Sequence, residues 1–192
     1  MRKLIVCNII SLDGFFEGPN HDVMALPFDQ GFGEYNVERL KTADTLLLGK
    51  TTFENFLSYW PEIADTEDAD PVERETSRLN NSIQKVVVSD SLTVGQTAPW
   101  SDTRIIKRSD VNGEVGKLKA SKGGDILVFG SHILWNDLLT NGLVDELHLM
   151  IGAGIVGDGT RAFERKSSGS LRLLDTVTWK GSNLVLLRYG ID

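Results

Sequence analysis

The sequence predicts an α/β fold: a mostly parallel sheet flanked by helices, with an antiparallel finish. Three observations carry that prediction. Apolar, β-rich runs alternate with segments of helical period through most of the chain. Runs such as "TLLL" (Thr45–Leu48) and "DILVF" (Asp125–Phe129) are apolar without alternation, as expected of strands covered on both faces. The tail "LRLLDTVTWKGSNLVLLRYG" reads as two strands around Lys180-Gly181-Ser182.

The elements follow in order. "KLIVCNII" is the first strand and closes at the turn signal Leu12-Asp13-Gly14. Phe28, Phe32, Tyr35 and Leu40 recur at helical spacing, which predicts a helix from Phe28 to Thr42 with one apolar face. "TLLL" ends at Gly49, and "KTTFENFL" restarts a helical period through Phe53, Phe56 and Leu57. Residues 59–71, "YWPEIADTEDADP", hold two prolines and little apolar content, which predicts a solvated acidic loop. A third helix is expected from Val72 to Asn80, and strands at "KVVV" (Lys85–Val88) and "RIIK" (Arg104–Lys107). Asp110 to Ser121 is weakly amphipathic, with Asp110 positioned as an N-cap. Gly130 ends "DILVF"; "SHILWNDLLTNG" is then a helix with Ser131 to cap it and Gly142 to stop it. "DELHLMI" is a further strand. The total is about eight strands and four or five helices in βαβα order before the hairpin.

Composition narrows the function. The 192 residues suit one compact domain, 1–192, with no repeat or linker inside it. A net charge of −7 argues against a general nucleic-acid binder, though local cations and backbone N–H groups can still hold a small anion. The one cysteine, Cys7, sits in an apolar run and reads as a core thiol. The N-terminal apolar run is short, is interrupted by Asn8 and lacks a small-residue cleavage site, and no run approaches the roughly 20 residues that span a bilayer. A cytoplasmic protein without membrane contact is the expectation. His21, His132 and His148 have no metal-ligand spacing, so no metal site is expected. Gly130-Ser131 is followed by His132-Ile133, not by the elbow of a serine hydrolase.

"LHLMIGAGIVGDG" contains Gly152-x-Gly154-x-x-Gly157, the spacing of a dinucleotide fingerprint. A true fingerprint opens a helix whose N-terminus holds the pyrophosphate. Here "DGTRAFERKSSGS" comes next, with two glycines and three serines where an apolar-faced helix should stand. The segment therefore reads as a glycine-rich loop turning next to something else. Better anion sites lie at the strand–helix junctions "LLLG-KTT" and "LVFG-SHILW", with "VVVSDS" as a third. In the first two a glycine at a strand tip precedes hydroxyl or basic residues that open a helix. Each junction alone is equally readable as capping. Together they fall on one edge of a parallel sheet, where α/β folds bind ligands.

The order of "NIISLDGFFEG", "LLLGKTTFENF", "KVVVSDS" and "DILVFGSHILWNDLLTNGLVDELHLMI" resembles the dihydrofolate reductase-like superfamily. It is most similar to the C-terminal reductase domain of the bifunctional deaminase–reductase of riboflavin biosynthesis, in stand-alone form. The resemblance implies an eight-stranded mixed sheet with helices on both faces, bound NADPH, and a homodimer formed through sheet edges and the C-terminal hairpin. It implies coenzyme contacts at Asn8, Gly49, Lys50, Thr51, Thr52, Ser89, Arg108, Gly130, Ser131, His132, Ile133 and Leu134. It places the "IGAGIVGDG" loop, with Gly152, at the rim of a substrate cleft that Phe15, Phe16, Phe28, Phe32, Phe129 and Met150 would line for a small flat heterocycle. Asp13 is the acid expected to bind substrate or relay a proton, with an Asx turn on its own loop as the structural alternative.

Several positions depart from the pattern. The acid of dihydrofolate reductases proper falls near Phe32 or Gly33, with Glu34 one residue off, about 100° around the helix. Its hydroxyl partner falls at Met150. The riboflavin-type lysine after "SLDG" is Phe15, the carboxylate at the fifth strand end is Phe129, and Met24-Ala25 replaces an Asp-Trp pair. Three functions remain: an NADPH-dependent reductase resembling 5-amino-6-(5-phosphoribosylamino)uracil reductase, a catalytically silent NADP-binding or ligand-sensing protein, and a dihydrofolate reductase proper.

Overall fold

A computed structural model describes residues 1–192. Ten strands and five α-helices form: β1 (Leu4–Ile10), β2 (Phe15–Glu17), α1 (Gln30–Thr42), β3 (Ala43–Gly49), α2 (Lys50–Ile63), α3 (Pro71–Ser82), β4 (Gln84–Val88), β5 (Arg104–Ile106), α4 (Val111–Ala120), β6 (Asp125–Phe129), α5 (His132–Thr140), β7 (Glu146–Ile151), β8 (Thr160–Arg161), β9 (Leu171–Thr178) and β10 (Val185–Ile191). Eight strands make one mixed sheet in the order β5-β4-β3-β6-β1-β7-β10-β9. β1, β3, β4, β5, β6 and β7 run parallel, and β10 pairs antiparallel with β7 and β9. β2 and β8 form a separate two-stranded ribbon, whose strands are too short to leave a readable period in the sequence.

Side chains alternate across the sheet and build a core on each face. Ile5, Cys7, Leu46, Leu48, Leu127 and Phe129 pack with Tyr35 and Leu40 of α1 and Phe53 of α2. Leu4, Val6, Leu47, Ile126 and Val128 pack with Val115 of α4 and with Trp135 and Leu138 of α5. β3 and β6 are neighbours, yet the helices after them, α2 and α5, leave to opposite faces. Such a switch point opens a crevice beyond the strand tips. No helix is long and apolar enough to cross a membrane.

Four expectations change. The acidic loop expected at 59–71 begins only after Ile63, because α2 continues through Tyr59, Trp60 and Pro61. Trp60 packs against Phe56, and the carbonyls of Trp60 and Pro61, which have no helical partners in the last turn, accept from Ser77 and Asn81 of α3. α1 starts at Gln30, after its cap Asp29, rather than at Phe28. Asp110 stands at the N-cap of α4, but its carboxylate accepts from the Ser109 hydroxyl and caps nothing. Ser131 precedes α5 with φ +54 and likewise makes no cap bond. As expected, the fingerprint segment opens no helix: after β7 the chain runs through loops and the short β8.

Candidate functional site

The tips of β3 and β6 lie on one rim and are tied together. Gly49 N–H donates to the Ser131 hydroxyl at 2.9 Å, and Ser131 N–H donates to Thr52 Oγ1 at 2.9 Å. Gly130 N–H donates to Asn8 Oδ1 at 2.7 Å. Gly130 has φ +52, and a Cβ there would stand 3.1 Å from Thr52, so only glycine fits without displacement. These three amide hydrogens, expected to meet a ligand, are instead bonded within the tips themselves.

What stays open is the set of helix starts. α1 is capped by Asp29, which accepts from Gly31 N–H at 2.9 Å. α3 is capped by Asp70, which accepts from Val72 N–H at 2.7 Å. α2, α4 and α5 have no side-chain cap. On α5 the first helical bond runs from Trp135 N–H to the Ser131 carbonyl, which leaves His132, Ile133 and Leu134 without intrahelical partners for their N–H groups. All three uncapped starts border one cavity of about 1030 Å³, as do Lys50, Thr51, Thr52 and Arg108. The bare starts of α2 and α5 and two cations thus face the same space in a chain of net charge −7, while at α4 the Val111 N–H already bonds the Arg108 carbonyl and Asp110 stands at the N-cap.

The rest of this cavity is aromatic with a few polar groups. Phe28 and Phe32 meet edge-on at 4.9 Å, and Phe56 stands between Trp60 (6.2 Å) and Phe129 (6.5 Å). Phe16 packs 5.0 Å from the His132 ring. Phe32, Asn36 and Leu40, one residue per helical turn of α1, line the wall, and Phe28, just ahead of the helix, joins them. Thr76 and Asn80 of α3 line it too. Sequence reading missed Asn36 and Asn80; the available signal was a polar residue in register with an apolar stripe. It also missed Glu17 and His21, an ionisable pair that borders the cavity. Glu17 Oε1 contacts His21 Nδ1 at 2.6 Å and accepts from Thr160 Oγ1 at 2.7 Å.

Five expected residues lie elsewhere. The carboxylate of Asp13 accepts from the Ser11 hydroxyl (2.6 Å) and from the N–H groups of Val156 (3.1 Å) and Gly157 (2.8 Å). The Ser11 hydrogen bond first, then the two backbone amides, hold its carboxyl down at about 2. Asp13 therefore fastens the glycine-rich loop from outside the cavity. Phe15 is buried under the Arg161 guanidinium, 4.1 Å above its ring, while strand alternation turns Phe16 into the cavity. The Ser89 hydroxyl accepts from Ser91 and Leu92 N–H and closes a turn. Met150 is fully buried in the core. A Cβ at Gly152 would lie 2.2 Å from Pro27 Cγ, so this glycine serves a close packing contact.

Beneath the cavity floor, Cys7 backs onto a buried relay. Tyr35 Oη donates to His148 Nδ1 at 2.8 Å, and His148 Nε2 bonds Glu146 at 2.8 Å. Burial holds His148 neutral, down at about 4, and pushes the Cys7 thiol up. Lys3 and Arg188 face Glu146 at the opposite rim, where they line a hollow of about 280 Å³.

This sheet order is that of a dihydrofolate reductase-like fold. The chain belongs to the RibD C-terminal domain family, whose model matches residues 2–187. It is 32% identical over 192 residues to Uncharacterized protein YyaP of Bacillus subtilis, covering 98% of this chain and 94% of that one. Among solved structures it is similar to a diaminohydroxyphosphoribosylaminopyrimidine deaminase/5-amino-6-(5-phosphoribosylamino)uracil reductase from Thermotoga maritima. That match has TM-score 0.66 at 12% identity and covers 100% of this chain and 57% of that one. Dihydrofolate reductase from Enterococcus faecalis, complexed with NADP(H) and RAB-propyl, matches with TM-score 0.62 at 15% identity, covering 99% and 96%.

Proposed function

We propose that this protein is an NADPH-dependent reductase of a small flat heterocycle. One observation carries the reading: α2 and α5, the two helices that start at the glycine tips beside the cavity, have Gly49 and Ser131 at their N-caps and no carboxylate there, whereas α1, α3 and α4 have Asp29, Asp70 and Asp110. A cap carboxylate would repel a phosphate, and its omission suits an anion held by helix N–H groups. Lys50 and Arg108 add the charge that a 2′-phosphate needs and NADH lacks. About 1030 Å³ slightly exceeds the roughly 300–1,000 Å³ of single-ligand pockets, which suits a coenzyme with a small ring beside it.

The nicotinamide, when bound, supplies hydride. This chain's residues have three tasks around it. The uncapped helix starts hold the phosphates. Phe16, Phe28, Phe32, Phe56 and Phe129 sandwich a flat ring and exclude water. Glu17 and His21, the ionisable pair beside β2, pass a proton to the reduced ring.

A dihydrofolate reductase proper is disfavoured, because Glu34 is exposed and Met150 is sealed in the core. A silent coenzyme binder is the second reading, favoured by Phe129, whose ring stands at the β6 tip where the family resemblance expects a carboxylate. Titration calorimetry with NADPH and NADH tests the proposal. NADPH should bind at least about tenfold more tightly than NADH. Binding of neither overturns it, and tight NADPH binding without oxidation by any flat heterocycle supports the silent reading.

A further inference from the structure

The hollow of about 280 Å³ lies at the rim opposite the coenzyme cavity and shares no residue with it. Arg2, Lys3, Arg39, Asp125, Glu146 and Arg188 line it, and they use their charges unequally. Arg2 is spent: it pairs with Asp44 and donates to the Thr45 hydroxyl at 2.7 Å and the Gly124 carbonyl at 2.8 Å. Lys3 is spent on Glu146 at 2.6 Å, and Glu146 also bonds His148 at 2.8 Å. The other two cations are different. A guanidinium carries five N–H donors. Arg39 bonds only Glu38, through Nη2. Arg188 stands 3.7 Å from Glu146 and 3.9 Å from Asp175, and its guanidinium makes no hydrogen bond. Both flank one buried relay: Arg188 lies opposite His148 in the β10–β7 pairing, and Arg39 stands 5.5 Å over the ring of Tyr35, which bonds His148. The Nε of each is sealed in the protein without a partner, so contact with a ligand falls to the Nη groups. Two like charges at one hollow, with most donors unspent, repel each other and leave their desolvation uncompensated. Methionine at either place would avoid both costs.

We propose that this hollow is a second anion site, where Arg39 and Arg188 take a phosphoryl dianion, either free phosphate or the end of a small phosphate monoester. The assignment stands apart from the reductase reading. Once Arg2 has paired with Asp44 and Lys3 with Glu146, two arginines remain against Asp125, which already accepts from the Thr42 hydroxyl at 3.1 Å. The hollow is thus left positive in a chain of net charge −7. A planar guanidinium offers paired donors that match two oxygens of one anion. A tetrahedral phosphoryl group has oxygens for two such forks, a single carboxylate only for one. A volume of about 280 Å³ falls just below the roughly 300–1,000 Å³ of drug-sized ligand pockets, which suits a small anion and excludes a dinucleotide. The alternative for Arg39 is a cation placed in the last turn of α1 to meet the helix dipole, which calls for no ligand and leaves Arg188 unexplained.

The test titrates inorganic phosphate into the full-length protein at constant ionic strength and follows backbone amide resonances. The amides of Gly123, Gly124 and Glu146 should shift and saturate, with phosphate bound at least about tenfold more tightly than chloride. Arg39→Met and Arg188→Met should each weaken phosphate at least about tenfold. Phosphate should raise the thermal midpoint of the unmodified protein and not that of the variants. Should a methionine variant not fold, Arg39→Lys and Arg188→Lys are read in its place; they keep the charge, lose the fork and should weaken phosphate at least about threefold. Phosphate that shifts only the amides of Gly130, His132 and Ile133 belongs to the coenzyme cavity and overturns the assignment. Absence of any saturable shift overturns it too, as does unchanged affinity in both variants, which makes the arginines structural. A parallel titration with glycerol 3-phosphate separates the two sources. Tighter binding than phosphate supports the site with a monoester as its ligand, and weaker binding supports it with the free ion.

Discussion

Two glycine-rich turns in this chain look alike as sequence and meet opposite fates. The loop Gly152–Gly159 comes after β7 with dinucleotide-fingerprint spacing, and it does present N–H groups to an anion. That anion is the chain's own Asp13, bound by Val156 and Gly157. At the tips of β3 and β6 the glycines also bond internally, but the helices that start there are left bare toward a large cavity. Backbone donors are thus satisfied from within in one case and left for something outside in the other. Glycine spacing alone does not separate the two turns. The element directly after the glycines does, since only a helix leaves a set of aligned N–H groups uncommitted.

The largest effect should come from converting the open turn into a filled one. Gly49 has φ −79, and an added Cβ would meet only Ser131, at 3.6 Å. Gly49→Asp can therefore cap α2 as Asp29 caps α1. The fold should be stabilised by about 0.5–1 kcal/mol, and NADPH affinity should fall at least about a hundredfold. Opposite signs of the two changes, in a denaturation curve and a coenzyme titration, are the expected signature. Next in size is Lys50→Ala. Its ammonium reaches Ser91 Oγ at 3.2 Å and Glu54 at 3.7 Å, on the surface, so it contributes little to stability. NADPH should bind about tenfold more weakly and NADH almost unchanged. Equal losses for both coenzymes would remove Lys50 from the 2′-phosphate.

How much of this was legible obeys the same division. The backbone-built half of the cleft could be read, because a glycine at a strand tip followed by Lys50-Thr51-Thr52 or by Ser131-His132 leaves a local trace. The sheet could be read for a similar reason: β3 and β6 are apolar on both faces. The side-chain half could not. Asn36 and Asn80 are far apart in sequence and meet the same cavity only because α1 and α3 pack side by side. The loop that Asp13 fastens could not be read either, because its backbone partners Val156 and Gly157 lie 143 and 144 residues away. α2 overran its expected end because Ser77 and Asn81 satisfy carbonyls beside Pro61, again a non-local effect.

Removing a filled site should act on the fold and spare the coenzyme. Asp29 accepts from Gly31 N–H, from Asn183 N–H at 2.9 Å and from the Ser182 hydroxyl, joining α1 to the β9–β10 turn. Asp29→Ala should cost about 1–2 kcal/mol in urea denaturation, with NADPH affinity unaltered.

The smallest effect on catalysis should come from Asp13→Asn. A carboxyl held at about 2 is ionised across the neutral range and has no proton to donate there. Its lowered value has a definite sign. The bonds to Ser11, Val156 and Gly157 favour the ionised form, so their stabilisation is complete above the ordinary value of 3.8 and is lost as pH falls toward 2. The amide keeps the size of the side chain but turns a donor toward a loop that offers only N–H groups. The loop should loosen, seen as faster proteolytic nicking between Ala153 and Gly159, while the shape of the pH–rate profile between pH 5 and pH 9 stays that of the unmodified protein. A titration step that vanishes from that profile on Asp13→Asn would return Asp13 to the proton path and make the two glycine turns functionally alike.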